Sequence, residues 1–207
     1  MNLRTLLLFF KFPKLSGIWV PFKNYTKSYV HIGKNSAFML KGRIKLGNEK
    51  KLPAVSQAPV NLWFGANSSI CFGKSVCIGP GVNIIIKEGG KLTVGSYTFF
   101  TSDMHIEGIR QIDIGSDCAI SWGVTIIDDN HHEIISENAG VNELNSGKVV
   151  IGDQVWLTNN VIILKNTAIG SNSVIMPNSV VRGAFPPNSL IGGNPAKVIK
   201  QIKGWKK

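Results

Sequence analysis

The chain has 207 residues, 43% apolar and 17% charged, enough for one domain with a sizeable core and too apolar for wholesale disorder. Its 22 glycines follow no Gly-X-Y period, which excludes collagen. Lys and Arg outnumber Asp and Glu by 23 to 12, and the resulting +11 calls for an anionic partner: nucleic acid, a phosphorylated cofactor, an acidic glycan or acidic lipid.

The first 28 residues carry no repeat. They read as an apolar, basic lead-in in which Lys11, Lys14, Lys23 and Lys27 stand among Leu, Phe and Trp, a composition suited to resting on anionic lipid. The run Leu6–Phe10 is too short for a signal-peptide core, and no stretch approaches the ~18 apolar residues of a membrane span. Three cysteines, Cys71, Cys77 and Cys118, form no CxxC pair, which argues against a zinc module or disulfide framework and for a reducing compartment. The expectation is a cytoplasmic chain that touches the inner face of the membrane.

From residue 29 to 190 the chain is organised by a period of six. Branched aliphatic or aromatic residues recur at Phe72, Ile78 and Ile84, then at Ile114, Ile120 and Ile126, then at Ile151, Leu157, Ile163, Ile169, Ile175 and Val181. Four places after the later anchors stand small or β-branched residues, Val155, Val161, Thr167, Ser173 and Ser179. A period of six fits neither an amphipathic helix nor a plain strand. It fits short strands that each form one flat side of a coil, with an aliphatic side chain inward and Gly, Asn or Asp at the corners. Three such sides close a turn of about 18 residues, the hexapeptide form of the parallel β-helix.

The breaks in the period are informative. The step from Ile84 to Val94 is ten residues and that from Ile106 to Ile114 is eight, while the widest lies between Ile126 and Ile151. There a polar, Gly- and Asn-rich stretch, about 128–148, predicts a loop thrown out from the coil, where function tends to sit. Extending the series Ile114, Ile120, Ile126 by six lands on His132. Phe185-Pro186-Pro187 ends the coil, and residues 191–207 are expected to hold a cofactor motif and a short basic helix, roughly Pro195 to Lys203, opened by the proline.

Three segments carry a family resemblance: ISWGVTIIDDNHHEI (120–134), VVIGDQVWLTNNVIIL (149–164) and LIGGNPAKVIK (190–200). In order and spacing they resemble the D-x-[DN]-x-H loop, VW coil and GNPAK motif of the hexapeptide-repeat acyltransferases, closest to bacterial sugar and polysaccharide O-acetyltransferases of the maltose/galactoside acetyltransferase-like group. The resemblance covers roughly 66–203. It implies an all-β, left-handed parallel β-helix, the hand being an exception to the usual right-handed crossover. It also implies homotrimers with the site between subunits, no metal and no nucleic acid.

The implied reaction moves an acetyl group from acetyl-CoA to a hydroxyl of a sugar or surface-polysaccharide precursor. An alcohol needs a base at pH 7, and histidine titrates in the right range. The resemblance gives that role to His132, with His131 as its rival, and Asp128, Asn130 or Glu133 to orient the ring. A backbone N–H after the VW unit, that of Asn159, would hold the oxyanion, though Thr158 stands where the family has Gly. Trp156 would wall the acyl site. Pro177, Arg182, Gly183, Lys197 and Lys200 match positions that line CoA, Arg182-Gly183 replacing the family's Thr-Lys step. On the acceptor side Thr101 replaces a family Asn, with Asp103 and Trp122 nearby.

Other readings are weaker. N-acylation of an amino-sugar nucleotide would use the same fold and histidine. A γ-type carbonic anhydrase needs three histidines on neighbouring coils, a spacing that His31, His105, His131 and His132 lack. An ice-binding helix would repeat one residue along a flat face, and a serine acetyltransferase would carry a helical domain before the repeats.

Overall fold

The computed structural model describes residues 23–24, 28–47, 58–132 and 146–206. Most of the lead-in and the tip of the loop, 133–145, lie outside the described residues.

All regular structure among the described residues is strand. Nine strands, from Lys23–Asn24 through Trp156–Leu157 to Ala196–Gln201, pair in one sheet that forms the first face of a prism. A second, twelve-stranded sheet bends through the long strand Ile162–Ile169 and so makes the second and third faces. Val180–Phe185 pairs with that strand on both sides of the bend. Pairing is parallel from coil to coil, and register gives the coil lengths directly. Trp156 lies beside Val174, the 18-residue coil expected of three hexapeptides. Cys77 lies beside Phe99 and Phe99 beside Ala119, coils of 22 and 20 residues that absorb the longer steps in the sequence. Ala119 lies beside Trp156, a 37-residue coil containing the loop.

The anchors stack inside. Ile78, Ile84, Ile106, Ile120, Ile126, Leu157, Ile163, Ile175 and Val181 are fully buried in one continuous core. The small residues are inside too, and their hydroxyls cap corner carbonyls: Thr167 Oγ1 donates to Leu164 O at 2.6 Å and Ser179 Oγ to Met176 O at 2.7 Å. The corners take left-handed dihedrals, with Asn160, Asn166, Asn172 and Asn178 at φ between 57° and 62°. The glycines that follow Val94, Ile114, Ile151 and Ile169 mark the corner between the third and first faces, where coils pass at backbone contact. A Cβ on Gly115 would lie 2.5 Å from the backbone of Gly152.

The C-terminus corrects one expectation. Residues 196–201 form a strand antiparallel to Ser189–Gly193 rather than a helix. A two-residue turn at Asn194-Pro195 reverses the chain, and the β-branched Val198 and Ile199 then cover the open edge of the last coil, which would otherwise present unpaired backbone groups.

Asp128 corrects another. Its carboxylate is fully buried and accepts three backbone N–H bonds, from Ile109 at 2.8 Å, Arg110 at 2.9 Å and Gln111 at 2.7 Å. It closes the turn of the coil below and faces no histidine. Asp128→Ala would strand three amides, so a loss of about 3 kcal/mol or more is expected in urea unfolding; an unchanged midpoint would contradict this role.

Candidate functional site

The predicted site residues fall into two groups on two corners. Register places Ser102, Trp122, Asn159 and Pro177 in one column along the corner between the first and second faces. Backbone bonds link the rungs: Gly123 N–H to Asp103 O, Asn160 N–H to Trp122 O and Asn178 N–H to Asn159 O. Thr101 and Asp103 flank the column. The Thr101 hydroxyl is buried and has no hydrogen-bond partner among the described residues, whereas Asp103 and Trp122 are exposed.

The Asn159 amide donates to no group among the described residues, a property of this corner position in every coil of the column. Pro80 and Pro177 occupy the same corner position in other coils, where an N–H is dispensable. Thr158, which stands where the family has Gly, points inward. It is buried, with Oγ1 donating to Ile175 O at 2.6 Å.

Trp156 stands half-exposed on the first face and donates from Nε1 to Ser121 Oγ at 3.2 Å. A contact invisible in the sequence backs it. The C-terminal tail folds back across the coils, Ile202 N–H bonding Asn188 O at 2.7 Å and Trp205 Nε1–H bonding Gln154 O at 2.7 Å. The Trp205 ring lies 5.7 Å from that of Trp156. Lys197 and Lys200 lie exposed on the final strand, and Arg182 is exposed beside Gly183 at the far corner of the second face.

The loop leaves from the corner between the second and third faces, after strand Thr125–Ile127. There the ring of His131, not His132, faces carboxylates. His131 Nδ1 lies 3.7 Å from Asp129 Oδ2 and Nε2 lies 3.8 Å from Glu107 Oε2. Asp129 Oδ2 also accepts the His131 backbone N–H at 2.7 Å, and this turn holds His131 at φ 62°. His132 is exposed, and no hydrogen bond or ion pair joins its ring to another described residue. The rung count fails because the coil stops at Asp128, so position 132 is no longer a rung. Asn130 is half-buried beside them.

Glu107 went unnoticed in the sequence, although its outward position two residues after His105 offered the signal. It receives Lys87 Nζ at 2.8 Å and His105 Nε2 at 3.2 Å besides facing His131. Burial raises its pKa, but the hydrogen bonds from Lys87 and His105 and the charges of Lys87 and His131 outweigh that and hold it below the ordinary 4.5. Among the described residues no group of three His, Cys, Asp or Glu is arranged to hold a metal ion.

A carboxylate depressed in the folded state adds stability above its unfolded pKa and loses it as pH falls through the folded value. Wild type should therefore melt above Glu107→Gln at pH 7, and the two should converge as pH drops below 4.5. A gap undiminished in acid would contradict the ion pairs.

The model for the bacterial transferase hexapeptide (six repeats) matches residues 148–183. WbbJ of Escherichia coli K12, which carries the name of a lipopolysaccharide biosynthesis O-acetyl transferase, is 36% identical over 68% of this chain and 78% of its own. WcaF of the same organism, named for colanic acid biosynthesis acetyl transfer, is 30% identical over 67% of this chain and 70% of its own. Among solved structures the polysialic acid O-acetyltransferase OatWY superposes with TM-score 0.60 at 24% identity, covering 86% of this chain and 91% of that one, which bears on fold alone. The chain belongs to the bacterial hexapeptide-repeat acetyltransferases, left-handed parallel β-helix proteins that include relatives named for lipopolysaccharide and colanic acid biosynthesis.

Proposed function

We propose that the protein transfers acetyl from acetyl-CoA to a hydroxyl of a surface-polysaccharide or sugar precursor, with His131 as general base. The observation that carries the assignment is the bracketing of one imidazole by Glu107 and Asp129. As the acceptor oxygen attacks the thioester carbonyl, the ring, held between two carboxylates that lie within 4 Å of it, takes its proton. The tetrahedral oxyanion is held by the Asn159 N–H. Collapse expels the CoA thiolate, which recovers the proton from the ring. Pro177, Arg182, Lys197 and Lys200 supply the donor's channel and cations, and Thr101, Asp103 and Trp122 the acceptor's hydrogen bonds and stacking face. N-acylation of an amino sugar remains the second use of the same histidine; the relative WbbJ, named as an O-acetyl transferase, speaks for the hydroxyl.

Support for a homotrimer comes from the two corners. They are separated by the width of the second face, four or five extended residues or about 15 Å, whereas reacting groups must meet within about 3.5 Å. One chain cannot bring His131 and the Asn159 amide to the same acetyl group; a neighbour's corner can. The second face between them presents outward Ile85 and Ile127 on either side of Glu107 in one column, and Ile162 and Val180 in a second that continues from Asn83, His105 and Thr125; these four apolar positions suit packing around a symmetry axis. The reading places the protein in the cytoplasm, with residues 1–28 against anionic lipid.

Release of free thiol from acetyl-CoA with glycan acceptors tests this. His131→Ala should lower kcat by about 10²–10⁴ while His132→Ala stays near wild type; the reverse would move the base to His132. Asn159→Pro, which deletes the N–H in a corner that accepts proline, should cost about 10²–10³ in kcat, and full activity would remove Asn159 from the oxyanion site.

A further inference from the structure

In a coil that climbs one axis, position in sequence is position along the prism, so charge along the sequence is charge along the molecule. Residues 1–87 hold 13 Lys and Arg and a single carboxylate, Glu49, whereas residues 88–207 hold 10 and 11. The net +11 is therefore +12 in the first 87 residues of the sequence set against −1 over the rest.

The folded coils share in this. No Asp or Glu stands among residues 28–47 or 58–86. Lys34 is exposed at one corner of the first coil, and Lys41 and Arg43 at another. Lys74 stacks directly on that second corner, where a Cβ on Gly42 would meet it at 3.0 Å. The same first coil exposes Tyr29, at 49%, and Met39, at 55%. Ahead of it the sequence interleaves Arg4, Lys11, Lys14, Lys23 and Lys27 with Leu6-Leu7-Leu8-Phe9-Phe10, Ile18, Trp19 and Phe22.

We propose that the first-coil end of the prism is a docking surface for an anionic lipid bilayer, with Lys34, Lys41 and Arg43 against the headgroups and Met39 at the interface. This extends the reading that residues 1–28 rest on anionic lipid, and is independent of the choice of base and acceptor. Cations alone would equally suit RNA or a free acidic glycan. Large apolar side chains mixed through the same end favour a surface that takes up both charge and hydrocarbon. In a cyclic trimer all three ends point the same way, and weak attachments reinforce one another. Four coil steps of about 4.8 Å separate the first coil from strand Thr125–Ile127, so docking would hold His131 about 19 Å above that end, at the height of a glycan rather than of a headgroup.

The full chain would be sedimented with vesicles of phosphatidylcholine alone and of phosphatidylcholine with phosphatidylglycerol, at low and high salt. Capture by the phosphatidylglycerol vesicles only, weakened by salt, is expected. The exposed triple variant Lys34→Glu/Lys41→Glu/Arg43→Glu should lose about 100-fold in binding, with its thermal midpoint and its thiol release on a soluble acceptor unchanged. No capture, equal capture by neutral vesicles, or full capture of the triple variant would overturn the proposal. So would preference for RNA or a soluble acidic polysaccharide over the vesicles. Capture by a protein that transfers no acetyl group would leave docking standing and sink the functional reading instead.

Discussion

Everything in this molecule depends on the stacking of one buried aliphatic side chain per face upon its equivalent in the next coil. Ile84 on Ile106 on Ile126 on Ile163 on Val181 is one such column, and the parallel backbone ladder runs beside it. The stack fixes three positions per coil and leaves the corners free. Coils of 18, 20, 22 and 37 residues therefore coexist in one prism, because extra residues leave at a corner without disturbing the rungs on either side.

That freedom is also what separates the chemistry. The loop can leave only at a corner, and it leaves between the second and third faces. The Asn159 amide, which has no acceptor among the described residues, lies at the corner between the first and second faces, next to the half-exposed Trp156 of the first face. A rigid triangular prism cannot fold one edge onto another. In the proposed trimer a symmetry-related neighbour supplies the missing half across the second face, which lies between the two edges.

The period was legible because each hexapeptide repeats the same physical demand, an inward branched side chain followed by a corner. The anchors from Phe72 to Val181, the wide steps at Ile84 and Ile106 and the departure of the loop after Ile126 could all be read from single residues. The site was less legible because it depends on contacts between coils some 20 residues apart. Glu107 meets Lys87, His105 and His131 from three segments, and only its outward place two residues after His105 marks it locally. Counting sixes to His132 assumed that the coil ran on past Asp128. The burial of that carboxylate under three amides ends the register there and gives Asp129 and His131 a turn of their own. At the C-terminus, proline and lysines suggested a helix start, but the exposed sheet edge of the last coil outweighed local preference.

The most direct test of the divided site is mixing of two inactive variants. His131→Ala and Asn159→Pro would be denatured separately, combined in equal amounts, refolded and assayed for acceptor-dependent thiol release. A site made between copies predicts recovery to about a quarter of wild type, since one junction in four of a randomly mixed ring unites an intact histidine with an intact amide. A mixture as inactive as its components, with mixed oligomers verified, would show that each chain builds its site alone and would contradict the account.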